Sequence, residues 1–134
     1  MFENIMVPTD GSESSVKAAN IAIEVAKKFN SKITIIHVID ERSMGSYDML
    51  EEEGNEILGK ISKKAIAKGL EVSEQLITGD PLRDMKTIAK KANVDLIVIN
   101  SNGKNQFNQF DQSLIGSVAD RTLKTSDIPV LLVK

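Results

Sequence analysis

The feature that most constrains the fold is an alternation of strand-like and helix-like segments along the whole chain. Short apolar runs rich in β-branched residues alternate with segments whose apolar residues recur at helical spacing. The predicted strands cover residues 2–8, 32–39, 71–78, 94–99 and 128–133. This alternation predicts β-α-β crossovers, and therefore an open, mainly parallel sheet with helices on both faces. No linker or internal repeat interrupts it, so we expect one domain over residues 1–134.

Capping residues delimit the predicted helices. Ser12 or Ser14 suits the start of the first helix, and Asn30 suits a left-handed exit from it. The Asp80-Pro81 pair predicts the start of the third helix. The apolar face predicted for the first helix contains Ala18, Ala22, Val25, Ala26 and Phe29.

Two glycines interrupt the second predicted helix, residues 47–68. Gly54 and Gly59 each weaken a helix by about 1 kcal/mol relative to alanine. The fourth helix is expected to run from about Ser113 or Gly116 to Lys124.

Composition excludes several classes of function. The net charge of −2 offers no electrostatic attraction for nucleic acid or an anionic membrane. The absence of cysteine excludes thiol catalysis, disulfides and thiolate metal sites. No apolar run approaches the ~20 residues of a membrane helix, and Glu3 stands where a signal peptide would carry basic residues. We therefore expect a cytoplasmic protein.

Polar or glycine-bearing loops follow the first, second and fourth predicted strands. They contain residues 8–11, 38–40 and 100–117. In open parallel sheets, ligands bind beyond the carboxyl ends of the strands, where the strand order reverses. The third of these loops leads from an apolar strand into a helix, and the free N–H groups at a helix start suit a phosphate.

Five short motifs carry a resemblance to a known family. They are V-P-T-D-G-S at residues 7–12, H-V-I-D at 37–40, G-D-P at 79–81, G-S-V-A at 116–119 and I-P-V-L-L-V at 128–133. In their order and spacing the chain resembles the universal stress protein A family over essentially its whole length. The resemblance implies a Rossmann-like, five-stranded parallel sheet of order 3-2-1-4-5. It also implies a homodimer through the last strand, from Ile128 to Val133.

The resemblance further implies an ATP site. Asp10 would hold the ribose hydroxyls, the backbone of Val38 would meet the adenine edge, and Pro8 and Thr9 would line the base and sugar pocket. These roles fit the residue types, since a carboxylate suits hydroxyl donors.

The phosphates of ATP, accompanied by Mg²⁺, would lie at the glycine turns of the last third of the chain. By resemblance, Gly103, Gly116 and Ser117 would receive them, and Val118 would pack beneath the site. Asn100 stands where the nucleotide-binding branch of the family has its first glycine. Asparagine tolerates a left-handed backbone better than most residues, so Asn100 can preserve the turn.

Two departures from the family pattern leave a second function open. The first glycine is replaced by Asn100, and the spacer of residues 104–115 is longer than in the nucleotide-binding branch. These departures favour an interaction module that binds no nucleotide. The leading hypothesis remains an ATP-binding, dimeric stress-response regulator whose nucleotide state alters the binding of an unidentified protein partner.

The sequence offers no persuasive catalytic nucleophile. His37 is the only histidine. A triad with Ser12 and Asp10 is conceivable, but a structural histidine near a strand end is the favoured interpretation. We expect no enzyme activity beyond, at most, slow ATP hydrolysis.

Other residues admit two interpretations each. Asp40 and Glu41 could bind a metal, although paired acids in a loop are more often solvated. Phe107 and Phe110 either dock one helical turn on the body of the domain, or form a lid or partner contact.

Two other functions with the same fold class are disfavoured. A flavodoxin-like electron carrier usually stacks aromatic side chains on its flavin, and this chain has no tryptophan and one tyrosine. A response-regulator receiver would need an aspartate after the third strand, where Thr78-Gly79 stands.

Overall fold

A single five-stranded sheet organises the protein. The structure, a computed structural model, describes residues 1–102 and 116–134. The strands are β1 Asn4–Pro8, β2 Lys32–Asp40, β3 Val72–Gly79, β4 Leu96–Asn100 and β5 Val130–Val133. They are all parallel and lie in the order β3-β2-β1-β4-β5. The predicted fold class and strand order are therefore confirmed.

Four helices cover the two faces of the sheet. They are α1 Glu13–Phe29, α2 Tyr47–Ala67, α3 Pro81–Lys91 and α4 Ser117–Thr125. One core contains buried residues of α1 and α2, and a second core contains buried residues of α3 and α4. This division follows from the strand order. The first two crossovers run from β1 toward β3, whereas the last two run from β3 through β4 to β5. Right-handed crossovers in opposite directions place their helices on opposite faces of the sheet.

The alternation of side chains along β1 feeds both cores. Ile5 and Val7 belong to the core under α1 and α2, whereas Met6 belongs to the core under α3 and α4. All three are fully buried. Such near-continuous apolar strands are typical of parallel sheets with both faces covered.

The predicted ends of α1 are confirmed, but one residue of its apolar face is misplaced. Ser12 caps the helix by accepting a hydrogen bond from the Ser15 backbone N–H, and Asn30 adopts the left-handed conformation with φ 56°. Phe29 is 46% exposed rather than in the core. Its ring packs edge-to-face on Phe2, with centroids 5.3 Å apart.

Strand β4 begins two residues later than its sequence predicts. The backbone N–H of Val94 donates to Ala89 O, and Asn93 lies in the left-handed region with φ 55°. This arrangement ends α3 in the manner of a Schellman motif. The apolar Val94 therefore belongs to the helix cap, and the ladder starts at Leu96.

The two glycines of α2 have different surroundings. A Cβ added at Gly54 would lie 2.6 Å from Leu76 Cδ1 and 2.8 Å from His37 Cδ2, whereas one at Gly59 would meet nothing within 4 Å. Gly54 therefore lets α2 approach β2 and β3 closely, and only Gly59 is a plain helix weakness.

Candidate functional site

The pairing of strands β1 and β4 stops before either strand ends. Their pairing stops at Met6 and Ile97, although β1 continues to Pro8 and β4 to Asn100. The Thr9 N–H donates to Ile36 O of β2, whereas Asn4 O accepts on the side of β4. Successive residues of a strand direct their backbone polar groups to opposite sides, so the nitrogen of Pro8, like Asn4, faces β4. Proline has no N–H to donate. The ladder therefore lacks a donor at this position, at the point where the strand order reverses.

The loop after β1 is held by buried hydroxyl groups. Thr9 is 5% exposed, and its Oγ1 lies 2.9 Å from Ser15 Oγ and accepts from the Gly11 N–H at 3.2 Å. Ser15 Oγ also donates to Ser12 O. The Thr9 hydroxyl thus fixes the loop. Only the small exposed part of Thr9 is accessible to a ligand.

Asp10 follows in the same loop and is partly exposed. Its Oδ1 accepts from the Ser12 N–H at 3.0 Å, two residues ahead, while Ser12 itself caps α1. Asp10 therefore lies before the helix, and Ser12 is its cap. Gly11 has φ 83°, a backbone conformation that favours glycine. A Cβ there would also lie only 2.8 Å from Ile57 Cδ1 of α2.

His37 changes the backbone pairing between β1 and β2. Continued pairing would place the Val38 N–H on Thr9 O, because the preceding bond joins the Thr9 N–H to Ile36 O. Instead, His37 Nδ1 lies 2.8 Å from Thr9 O, and it must donate since a carbonyl can only accept. Within residues 1–102 and 116–134, no backbone carbonyl accepts from Val38.

This arrangement confirms the structural interpretation of His37 and adds a role that its sequence did not reveal. The imidazole bonds to backbone rather than to Ser12 or Asp10. By taking the Thr9 carbonyl, it leaves the backbone of Val38 facing the space beyond β1. The signal in the sequence was a lone histidine one position before the predicted adenine contact.

The end of β4 is joined directly to the start of α4. The Gly116 N–H donates to Ser101 O at 2.6 Å, and Ser101 is buried. Asn100 donates through its side-chain amide to Asn102 O, closing a short turn after the strand. This bond holds together the described residues on either side of the long spacer. Ser101 is a positioning residue that the sequence analysis missed.

No described side chain caps the start of α4. Gly116 is the N-cap and makes no side-chain capping bond. Among the described residues, no side chain accepts from the N–H groups of Ser117, Val118 or Ala119. Ser117 is exposed, and Val118 packs against the core under α3 and α4. A helix start of this kind offers backbone donors and the positive end of the helix dipole.

The neighbouring β2–β3 edge is closed by charged side chains. Arg42 makes two hydrogen bonds to the Asp40 carboxylate, of 3.1 and 3.0 Å, and approaches Asp80 Oδ1 at 3.8 Å. This contact lowers the pKa of the Asp40 carboxyl and raises the pKa of the Arg42 guanidinium. Asp40 is thus an ion-pair partner of Arg42.

A second ion-pair group lies beside it at the start of α3. Arg83 contacts the Asp84 carboxylate at 2.7 Å and Glu41 Oε1 at 3.0 Å. Asp84 Oδ2 also accepts from the Asp80 N–H at 2.9 Å. The Arg83 hydrogen bond, followed by that backbone bond, lowers the pKa of Asp84 to about 2. Gly79 makes room for this carboxylate, since a Cβ there would lie 2.5 Å from Asp84 Oδ2.

The structure therefore gathers most of the predicted site residues at one rim. Along the described chain, the predicted ligand-binding residues lie at the carboxyl ends of three adjacent strands and at the start of α4. They are Pro8, Thr9, Asp10, Val38, Asn100, Gly116, Ser117 and Val118. Gly103, Phe107 and Phe110 lie outside the described residues. In the parts of the chain that are described, no group of three or more histidine, aspartate or glutamate side chains could hold a metal ion, and no helix is long and apolar enough to cross a membrane.

Known proteins resemble this chain in sequence and in fold. The universal stress protein MJ0531 of Methanocaldococcus jannaschii is 35% identical, over 100% of this chain and 83% of its own length. The structure of protein MJ0577 of the same organism superposes with a TM-score of 0.83 and 32% identity, covering 100% of this chain and 96% of that one. A universal stress protein solved in complex with cAMP superposes with a TM-score of 0.77 and 26% identity, covering 99% and 97%.

The family model agrees with these relatives over the whole chain. The model of the universal stress protein family matches residues 1–134. With a relative above 30% identity covered over most of its length, fold and sequence lead to the same assignment. The chain belongs to the universal stress protein family.

Proposed function

We propose that this protein binds an adenine nucleotide, ATP with its accompanying Mg²⁺, at the rim where β1 and β4 separate. The observation that carries the proposal is that α4 begins at the end of β4, where the pairing of β1 with β4 has stopped. The β1–β4 ladder stops before Pro8, and α4, whose N-cap Gly116 is bonded to Ser101 after β4, begins with the backbone N–H groups of Ser117 and Val118. The relative solved with cAMP supports an adenine nucleotide as the ligand class.

Each part of the nucleotide has a suitable group at this rim. The backbone of Val38 faces the space beyond β1 and would meet the adenine edge. The Asp10 carboxylate would accept from the ribose hydroxyls, and the α4 start would receive the phosphates. Mg²⁺ would travel with the phosphates and keep most of its waters, since it usually needs few protein ligands.

Isothermal titration of the purified protein with ATP, AMP and cAMP, with and without Mg²⁺, tests the proposal. We expect saturable binding with one site per chain. The absence of saturable binding for all three nucleotides at about millimolar concentration, a free energy of only about −4 kcal/mol, would contradict it.

A neutral variant of Asp10 tests the ribose contact. Asp10→Asn keeps an oxygen for the Ser12 N–H but removes the charge. Losing a charged hydrogen bond should weaken ATP binding about tenfold and should reduce the discrimination between ATP and 2′-deoxy-ATP. Asp40→Asn, at the closed β2–β3 edge, is the matched control and should leave both unchanged.

We further propose that the protein is a cytoplasmic stress-response regulator and dimerises through β5. Ile97 and Ser101 donate to the carbonyls of Pro129 and Val133, so the N–H of Leu132 faces away from β4. Such an edge can add a second strand. Leu132→Pro should make the protein monomeric in sedimentation, whereas Leu132→Val, which keeps the N–H, should not. Equal association of both variants would contradict the β5 interface.

One observation favours a second candidate, an interaction module that binds no nucleotide. The Asn100 amide donates to Asn102 O, so a side chain closes the turn where the nucleotide-binding branch has glycine. Under this alternative, Asn100→Gly would create nucleotide binding that the native chain lacks. Under the leading proposal, the native chain already binds and Asn100→Gly changes the affinity only modestly.

A further inference from the structure

The outer surface of α2 carries a regular row of charges. Every fourth residue of this helix and its C-cap is charged and exposed, with acids in the first half and bases in the second. We call these residues the charged ridge: Asp48, Glu52, Glu56, Lys60, Lys64 and Lys68. Residues four apart lie next to one another along a helix surface, so the six form one continuous row.

This order of charges is unfavourable within a single helix. Opposite charges four apart stabilise a helix and like charges destabilise it. Along the charged ridge only the neighbours Glu56 and Lys60 are opposite in sign; all the other neighbours are alike. In the described part of the chain, none of the six side chains forms an ion pair.

The helix dipole explains only the ends of the charged ridge. It favours acids in the first turn and bases in the last, and its effect falls off beyond them. Asp48 lies in the first turn and Lys64 in the last. Glu52, Glu56 and Lys60 lie between these turns, so the helix dipole does not account for their segregation by sign.

Reversing the direction of the charged ridge exchanges its acids and its bases. When two copies run antiparallel, Glu56 lies opposite Lys60 and Glu52 opposite Lys64. The row turns by about 40° at each step, so Asp48 and Lys68 lie at the edges of the contact. The exposed Met49 then lies opposite Ala67, beside the charges. A two-fold axis generates this kind of self-complementary contact, in which one patch meets itself.

We propose that α2 docks antiparallel on α2 of a second copy of this chain, with the charged ridges paired. Rows of residues four apart are also the ridges used in the commonest class of helix packing. The surface is distinct from β5, because α2 packs over β2 and β3 while β5 lies at the opposite edge of the sheet. The contact does not depend on nucleotide binding, so the two proposals can be tested independently.

Charge reversal in the two halves of the ridge tests whether the ridge of one copy pairs with the ridge of another. The variant Glu52→Lys with Glu56→Lys leaves Asp48 as the only acid of the ridge, and Lys60→Glu with Lys64→Glu leaves Lys68 as its only base. Each variant alone should repel itself, whereas their equimolar mixture should associate about tenfold or more tightly than either. Sedimentation at equal total concentration measures this difference, and any association through β5 is common to all samples.

Salt and cross-linking complete the test. Pairing in the mixture should weaken between about 0.05 M and about 0.5 M salt because the charges are exposed. The chain has no cysteine, so the double variant Met49→Cys with Ala67→Cys should form intermolecular disulfides on mild oxidation. Met49→Cys alone is the control, since its copy would lie about 27 Å away along the helix.

Two results would overturn the proposal. One is a mixture of the two charge-reversed variants that associates no better than each does alone, which would assign the acidic and basic halves to different partners. The other is a double cysteine variant that forms no more cross-linked dimer than Met49→Cys.

Discussion

Two helix starts at the same rim of the sheet, those of α3 and α4, are built in opposite ways. At α3, Asp80 accepts from the Leu82 N–H, and Asp84 accepts from the Asp80 N–H. At α4, the cap is Gly116, which brings no side chain to the helix. Two carboxylates therefore occupy donors at the start of α3, whereas no side chain in the described part of the chain occupies those of α4.

The strands beneath these helices differ in the same sense. β2 and β3 stay paired to their last residues, Asp40 and Gly79. β1 and β4 stop pairing at Met6 and Ile97, before either strand ends. One half of the rim is closed by ladder bonds and ion pairs; in the other, the strands end unpaired and no described side chain accepts from the first N–H groups of α4. At a helix start, an anion can use only those N–H groups that the chain's own acceptors leave free.

The largest expected effect comes from giving α4 the kind of cap that α3 has. Gly116→Asp places a carboxylate where the phosphates are proposed to bind. Because aspartate is a good N-cap, stability should be kept or raised. Like-charge repulsion should weaken ATP binding about 100-fold or more, as measured by isothermal titration.

Gly116→Asn is the matched control for that substitution. Asparagine caps helices about as well as aspartate but carries no charge. It should retain most of the affinity that Gly116→Asp loses. Equal affinities for the two variants would show that the charge at this position does not meet the nucleotide.

The next largest effect concerns the closed half of the rim. Gly54→Ala forces a Cβ against Leu76 and His37, so overpacking should destabilise the protein by about 1–3 kcal/mol. Gly59→Ala, in open space on the same helix, should stabilise it by about 0.5–1 kcal/mol. Urea unfolding measures both, and changes of the same sign would contradict the packing described for α2.

The smallest effect is the acid dependence of the α3 cap. The pKa of Asp84 is about 2 in the folded protein, below the ordinary value of 3.8. Its stabilising contribution is therefore present above about pH 4 and is lost as the pH falls toward 2. The stability difference between the native protein and Asp84→Asn should shrink over this range. A difference that stays constant from pH 5 to about pH 2 would contradict the assignment.

The fold was predictable because its signals are local and agree with one another. The apolar runs, the Ser12 cap, the Asn30 exit and the Asp80-Pro81 start each specify an element, and the structure confirms all of them. The start of β4 was not predictable from apolarity alone. Val94 is as apolar as a strand residue, but its N–H is used to end α3.

The candidate site was predictable in its loops and not in its contacts. Motifs located Asp10, Val38 and Gly116 at the proper ends of their strands and helix. They could not reveal that His37 takes the Thr9 carbonyl or that Ser101 holds Gly116. Both contacts join residues far apart in the chain, and neither residue type is distinctive of such a role.

The amide NMR spectrum during titration with AMP and with adenosine tests directly whether the start of α4 binds the phosphate. AMP should shift the amide signals of Ser117 and Val118 strongly, while those of Leu82 and Arg83 at the capped α3 start stay in place. Adenosine, which lacks the phosphate, should leave all four nearly unchanged. Shifts at α3 instead of α4, or equal shifts at α4 with both ligands, would contradict a phosphate site at the open helix start.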